Sequence, residues 1–335
     1  MKKKVLKVLK YLGGGIVLLV AVFYGYVQAT YRRDFSGTPL PAIAASKDAE
    51  VIKRGEYVAH SMAHCSACHG AGKFTNERKL PDDISDLSGG YVMRAGPFGT
   101  FYPANLTPDP DTGIAKLSDA QLARVIRHGV APDGGFDPLM SFAVGPMADE
   151  DLIAVVSYLR SIKPVKNAVP KDEWGFVAKA LAGKFNPRMT QAPPFVREKE
   201  GSPSEARGDY IANGPGLCVG CHSPYDVADG FKLKGDKFSG EMEGEPDPYD
   251  SEYEIAGPNL TKHPKAGVLA NFDEQQFVDR FKKAGRTHKG SKMPWENFAR
   301  MTDDDLKSIY RYLATVPPSE RVTGPTRRKR GSFKG

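Results

Sequence analysis

The chain has four cysteines and two tryptophans in 335 residues, and no cysteine stands alone. All four fall in two pentapeptides, Cys65-Ser66-Ala67-Cys68-His69 and Cys218-Val219-Gly220-Cys221-His222. A disulfide framework would have to take its thiols from these pairs, and no spare cysteine exists to serve as an unusual metal ligand. Strand-type alternation is scarce beyond short pieces. That removes the βαβ setting a thioredoxin-type dithiol needs. The net charge is +7, yet no recognition motif or clustered basic face accompanies it, which excludes a nucleic-acid partner. Charged residues make up 26% and hydrophobic residues 40%, a globular composition.

What is present is C-x-x-C-H, twice. Two thiols three positions apart can form thioethers to the two vinyl groups of one porphyrin. The adjacent histidine then reaches the iron as proximal ligand. The competing reading is one zinc site shared by both pairs. Zinc knuckles lie ~12–20 residues apart, whereas these first cysteines are 153 apart. Neither a dithiol nor zinc accounts for a histidine after each second cysteine. The expected cofactors are therefore two covalently bound haem c groups. Cys65, Cys68, Cys218 and Cys221 would attach them, and His69 and His222 would ligate the iron.

One long apolar run exists, Tyr11 to Ala29, interrupted only by Gln28. Nineteen residues at ~1.5 Å each span close to the ~30 Å hydrocarbon core. Lys2, Lys3, Lys4, Lys7 and Lys10 precede it, which keeps the N-terminus cytoplasmic and exports the rest. The alternative is a signal peptide cleaved near Val27-Gln28-Ala29. The run exceeds an h-region of ~7–15 residues, which favours an uncleaved, single-pass anchor in a bacterial inner membrane. Both readings send the remainder to the periplasmic side, where uncommitted thiols would oxidise.

The surroundings of the two pentapeptides repeat with them. Arg54-Gly55-Glu56-Tyr57 lies eleven residues before Cys65, and Arg207-Gly208-Asp209-Tyr210 eleven before Cys218. Asn105-Leu106-Thr107 recurs as Asn259-Leu260-Thr261, Asp149-Glu150-Asp151-Leu152 as Asp303-Asp304-Asp305-Leu306, and Tyr158-Leu159 as Tyr312-Leu313. Two tandem modules explain this better than one large fold. The expected organisation is an anchor or signal over 1–31, a first module over 48–165, a linker over 166–203, a second module over 204–320 and a basic tail over 321–335. The fold class is all-α. Helices are expected from Ala49 to Ala67, Ser118 to His128 and Asp149 to Ile162, then from Glu205 to the cysteines, and from about Asp273 to Lys283. In the last helix Thr302 caps and Asp305 stands at N3. The linker holds five prolines and a short helix around Trp174 to Lys184. From Gly324 onward the chain reads as a solvated, frayed tail.

Methionine or histidine usually supplies the sixth ligand of an electron-transfer haem. Met140 and Met293 occupy matched, loop-like positions before the last helix of each module. Met147 and Met301 also match, but lie beside the helix start, where packing is the simpler role. Met62, Met93, Met189 and Met242 have no counterparts and read as packing or surface residues. His60 and His64 are placed at the surface or near haem propionates. His128, His263 and His288 are unmatched, and His288 is the outside candidate for a distal ligand. The carbonyl of Pro258 is a candidate acceptor for the Nδ1 proton of His222, with Ala104 at the matching place in the first module.

At this point the chain resembles a known family. Gly96-Pro97-Phe98-Gly99-Thr100-Phe101-Tyr102, then Asn105-Leu106-Thr107-Pro108-Asp109-Pro110-Asp111-Thr112-Gly113-Ile114, then Arg127-His128-Gly129-Val130 are similar to the cytochrome c subunits of membrane-bound alcohol and gluconate dehydrogenases. So are Arg207-Gly208-Asp209-Tyr210 and Cys221-His222-Ser223-Pro224. The resemblance covers both modules and omits the linker and tails. It implies class I cytochrome c folds, with Met140 and Met293 as distal ligands. It also implies a subunit that takes electrons from a quinoprotein or flavoprotein and passes them to ubiquinone or another acceptor. Two departures stand out. Those subunits carry three haem modules against two here, and Ser141 replaces the proline that usually follows the distal methionine.

The expected function is thus a dihaem electron carrier, with redox proteins and the membrane as partners and no substrate chemistry of its own. Its partner would be a dehydrogenase catalytic subunit, an oxidase or another cytochrome. The rival classes are a dihaem peroxidase or thiosulfate dehydrogenase-like enzyme, and the haem subunit of a terminal oxidase. A peroxidase needs an open sixth position, which two matched methionines oppose.

Overall fold

The computed structural model describes residues 2–70, 86–187, 202–241 and 244–332. Residues 188–201 of the expected linker, Met189, Met242 and the last three residues of the expected tail lie outside the described residues. Helix α1 (Lys2–Thr30) opens the chain, with its apolar side chains from Val5 to Tyr26 exposed. Lys4–Thr30 is long and apolar enough to cross a membrane, an 18-residue stretch of it having a mean hydropathy of 2.0. The N-terminal half follows with α2 (Ala49–Tyr57), α3 (Ser66–His69), α4 (Asp119–His128), α5 (Pro138–Val144) and α6 (Asp149–Ser161). Helix α7 (Phe176–Leu181) lies in the connecting segment. The C-terminal half contains α8 (Glu205–Asn213), α9 (Cys218–Cys221), α10 (Glu274–Lys282), α11 (Trp295–Phe298) and α12 (Asp303–Thr315).

The helices start where side chains can satisfy their first amides. Ser118 and Gln121 form a reciprocal capping box on α4, and Asp273 and Gln276 form its counterpart on α10. Thr302 caps α12 by accepting from the Asp305 N–H at 3.1 Å. The Asp305 carboxylate does not complete that box, because it is engaged elsewhere.

Gly55 and Gly208 set the helix crossings. A Cβ on Gly55 would lie 1.9 Å from the Ala154 carbonyl oxygen, and one on Gly208 1.9 Å from that of Ser308. Only glycine lets α2 approach α6, and α8 approach α12, so closely. The preceding arginines use that proximity. Arg54 makes a two-pronged ion pair with the fully buried Asp151, at 2.8 and 2.9 Å. Arg207 pairs through its Nε with the fully buried Asp305. The repeated Arg-Gly-x-Tyr and Asp-x-Asp-Leu sequences thus encode one contact, made twice.

Each half has its own apolar core. Val58, Leu122, Met147, Leu152, Val155 and Leu159 anchor the first. Ile211, Phe238, Leu269, Val278, Met301 and Leu306 anchor the second, which also takes in Met62 and Ala148 from the first half. The halves therefore pack against each other rather than hang from a tether.

All-α is too simple a description. Short antiparallel sheets are present: β1 (Met93–Arg94), β2 (Gly99–Phe101) and β3 (Glu173–Trp174) form one, and β4 (Tyr225–Asp226) and β5 (Lys232–Leu233) a second. The third joins β6 (Glu245–Asp247), β7 (Asp250–Ile255) and β8 (Arg327–Lys329). None exceeds six residues, too short for alternation to register in the sequence.

The expected frayed tail is also corrected. Residues 327–329 pair with 253–255 as a third strand. Arg327 reaches Asp247 at 2.7 Å and Asp250 at 3.0 Å, and buried Arg328 reaches Glu254 at 2.5 Å. The basic run had been assigned to solvent, but its counter-charges lie about 75 residues upstream, on β6 and β7.

Candidate haem sites

The expected unbroken helix from Ala49 to Ala67 does not form. Its backbone widens into a π turn over Val58–Met62, and then His64 adopts a left-handed conformation at φ 39°. Leu217, at the equivalent position before Cys218, has φ 50°. Non-glycine residues rarely take this conformation, least of all a leucine. It reverses the chain immediately before the first cysteine of each motif, and no sequence signal announces it. The motif itself is then one helical turn. His69 N–H donates to Cys65 O at 2.8 Å, and His222 N–H to Cys218 O at 3.0 Å. Positions i, i+3 and i+4 share a helix face, so two sulfurs and one imidazole can address the same porphyrin.

Both histidines are oriented from behind. His69 Nδ1 donates to Ala104 O at 2.8 Å, and His222 Nδ1 to Pro258 O at 2.9 Å, as the spacing of Pro258 and Ala104 suggested. A carbonyl can only accept, so Nδ1 carries the proton and Nε2 keeps its lone pair. Burial holds both imidazoles below the ordinary histidine range, with the carbonyl bonds opposing it in part. The acceptor loops are themselves pinned. Asn105 Oδ1 accepts from the Thr107 N–H and hydroxyl at 2.9 and 2.8 Å, and Asn259 repeats both bonds with Thr261.

The two methionines differ. Met140 is not in a loop but in α5, which Asp137 caps by accepting from the Leu139 and Met140 amides. Pro138 at the first turn and the Asp137 cap are a helix-start signal that the sequence reading passed over. Met293 does lie in irregular chain, held by Arg286, whose guanidinium bonds Ser291 O and pairs with Glu296 at 2.8 Å. Each methionine is half-buried against the core of its own half. Met147 and Met301 are fully buried core residues, their carbonyls bound by Arg127 and Lys282 respectively. Met62 is likewise fully buried.

His60 is not at the surface. It is buried, with Nε2 at 2.8 Å from the Tyr158 hydroxyl. His64 packs edge-on against Phe298 at 5.4 Å. Burial lowers its pKa to about 4, against weaker support from its own backbone and that of Gly216. His263 Nδ1 accepts the Ala266 amide at 3.1 Å, and His288 stands near Asp247.

The arrangement missed by sequence reasoning is how the two sites meet. Tyr57, from the first Arg-Gly-x-Tyr, donates to Asp305 Oδ2 at 2.5 Å and accepts the Thr302 amide at 3.0 Å. Tyr210 donates to Asp151 Oδ2 at 2.6 Å and accepts the Ala148 amide at 3.4 Å. Each buried aspartate thus binds the arginine of its own half and the tyrosine of the other. Burial, then the carboxylate charge, drive both phenol pKa values well above the usual range. The methionine-bearing segments cross over too. Asn297 Nδ2 donates to Ser66 Oγ at 2.9 Å, inside the first motif. A methyl on Gly220, inside the second, would come within 3.2 Å of Phe142.

The residues fit haem c at both motifs. Each set offers two thiols and one neutral, oriented imidazole. Among the described residues no group of three or more His, Cys, Asp or Glu could hold a metal ion without such a macrocycle.

No protein-family model matches the chain. It is 30% identical over 298 residues to the cytochrome c subunit of the quinone alcohol dehydrogenase of Gluconacetobacter polyoxogenes, covering 83% of this chain and 58% of that protein. It is 28% identical over 300 residues to the fructose dehydrogenase cytochrome subunit of Gluconobacter japonicus, covering 83% and 55%. A diheme cytochrome c-type protein of Cereibacter sphaeroides is 30% identical over 272 residues, covering 76% of this chain and 83% of that one. The chain spans little more than half the length of the dehydrogenase subunits.

Proposed function

The chain belongs to the c-type cytochromes represented by these proteins, and we propose that it is a membrane-anchored dihaem electron carrier built from two tandem class I modules. The observation that carries this reading is the doubled site: two C-x-x-C-H turns, each with its histidine Nδ1 bonded to a loop carbonyl. Cys65 and Cys68 would hold one haem c, Cys218 and Cys221 the other. His69 with Met140, and His222 with Met293, would be the axial pairs. Haem bound in this way supplies a reversible one-electron couple, and Met/His ligation closes it to exogenous ligands.

The chain's own residues hold that couple in place. The carbonyls of Ala104 and Pro258 fix the imidazole tautomer and ring plane. The Tyr57 and Tyr210 contacts draw the two motifs to one interface, which favours transfer within the molecule over transfer between molecules. Helix α1 would keep the carrier at the periplasmic face of the inner membrane. Its relatives are subunits of alcohol and fructose dehydrogenases, so the proposed donor is a dehydrogenase catalytic subunit and the acceptor a quinone, an oxidase or another cytochrome.

The test is haem stoichiometry and spin state. Two haems per chain are expected, falling to one when either cysteine pair is replaced by alanine. The oxidised protein should show the weak red Met–Fe charge-transfer band, lost in part in Met140→Ala and in part in Met293→Ala. A high-spin haem at rest would overturn the carrier reading.

A further inference from the structure

Helix α1 does not end in a free linker. Arg124 Nη1 donates to Ser36 O at 3.0 Å, and Phe35 packs on Phe136 at 5.3 Å. The Ala45 amide then donates to Asp119 at 2.8 Å. The chain leaving the helix is thus laid along the N-terminal half. A second segment is laid along the helix. Phe176 stacks on Tyr24 at 5.6 Å and 12°, and meets Phe23 edge-on at 6.1 Å. Lys179 Nζ donates to Gln28 Oε1 at 3.1 Å and sits 4.8 Å above the Tyr31 ring. Trp174 lies 6.4 Å from Tyr31, and Arg33 donates to Gly183 O and Phe185 O at 3.2 and 3.3 Å.

From Phe176 onward these contacts have a direction. Phe176 meets residues 23–24, Lys179 meets 28–31, and residues 183–185 meet 33. Helix α7 and the turn after it therefore climb alongside the last turns of α1. Tyr24 is six residues before Thr30, so Phe176 sits about 9 Å below the end of α1 at ~1.5 Å per residue. Interfacial segments sink their apolar face ~5–10 Å into the headgroup and acyl boundary. Phe176 is 41% exposed at that depth, while Lys179 and Arg33 stand where phosphates would be. Phe23, Tyr24, Tyr26, Tyr31 and Trp174 make an aromatic belt at this same end.

We infer that Trp174–Lys184 is a second membrane contact, seated in the headgroup layer of the bilayer that α1 crosses, so that the N-terminal half meets the membrane in one fixed orientation. This rests on the reading of α1 as a retained anchor. The occupant is phospholipid, because the surface is continuous with a membrane-spanning helix and pairs one apolar ring with basic groups placed above it.

The test uses the full chain in vesicles of phosphatidylcholine and phosphatidylglycerol. Phe176→Cys, Ala180→Cys and Val322→Cys are each spin-labelled, and collision with oxygen is compared with collision with a water-soluble nickel chelate. Expected is a several-fold oxygen preference at 176, a smaller one at 180, and a chelate preference at 322. Labels at both 176 and 180 that behave like the one at 322 would overturn the inference, as would an intact mass lacking the first 29 residues. Unsubstituted protein should take up no label, since thioethers leave no thiol. Uptake there would instead count against the haem reading, and the two failures stay separable.

Discussion

Removing the hydroxyl from Tyr57 or Tyr210 should loosen the two halves unequally. Tyr57→Phe deletes a 2.5 Å bond to a buried carboxylate and frees the Thr302 amide, which lies in an exposed stretch that water can reach. Hydrogen bonds to charged groups contribute ~1.5–3 kcal/mol, so a loss of about 2 kcal/mol is expected. Tyr210→Phe deletes the 2.6 Å bond to Asp151 and also strands the amide of the fully buried Ala148. An unsatisfied buried donor costs a further ~1–3 kcal/mol, which brings this variant to about 3–4 kcal/mol. The single losses sum to about 5–6 kcal/mol, but Arg54 stands over the Tyr57 ring and pairs with the Asp151 that Tyr210 binds, so the double variant should depart from that sum by ~0.5 kcal/mol or more. Such a loss is comparable to the whole stability of many domains. Guanidinium unfolding, followed by both haem absorbance and far-ultraviolet circular dichroism, should then split from one transition into two. Asp305→Asn is the contrast. It strips Arg207 of its buried counter-charge and should cost ~3–5 kcal/mol, more than Tyr57→Phe. The reasoning fails if both phenylalanine variants stay within ~0.5 kcal/mol of the parent, or if Tyr57→Phe proves the costlier of the two.

Gly55→Ala and Gly208→Ala should each force a helix pair apart, because the new methyl would stand 1.9 Å from a carbonyl oxygen. A loss of about 3 kcal/mol or more is expected from denaturant midpoints, and a neutral result would show that the crossings have slack. Stability should also fall between about pH 6.5 and 4. His64 has its pKa lowered to about 4 in the folded chain by burial, so over that interval the unfolded chain binds a proton that the folded one refuses. The loss is complete near pH 4, amounts to about 3 kcal/mol, and adds nothing below that pH. His64→Leu copies the residue at the matching position, Leu217, and should flatten this part of the pH profile. An unchanged slope would refute the assignment to His64.

Much of what could be read from the sequence was what its internal repeat writes twice. The paired Arg-Gly-x-Tyr and Asp-x-Asp-Leu segments located the helices that pack, and the C-x-x-C-H turns marked the candidate sites. Their partners could not be read, because a contact 248 residues apart leaves no local trace: Tyr57 is matched to Tyr210 in sequence but bonds Asp305. The left-handed backbone at His64 and Leu217 was invisible for a different reason, since leucine disfavours it and histidine, though enriched there, adopts it too seldom to be a signal. The tail misled because a run of like charges reads as solvated until its acidic partners are known. Met140 misled because a matched position was taken to mean matched backbone, whereas Asp137-Pro138 starts a helix around the first methionine and no such pair precedes the second.

Asp151 and Asp305 each serve two masters, one on either side of the interface. Tyrosine of the first half on aspartate of the second, and tyrosine of the second on aspartate of the first, is the reciprocity of an isologous contact, the kind a twofold homodimer makes. The surface that completes one copy is the same surface on another copy. A lone half would present a phenol and a carboxylate without their partners, and a second identical half would satisfy both. The chain thus carries inside one molecule what a symmetric dimer divides between two.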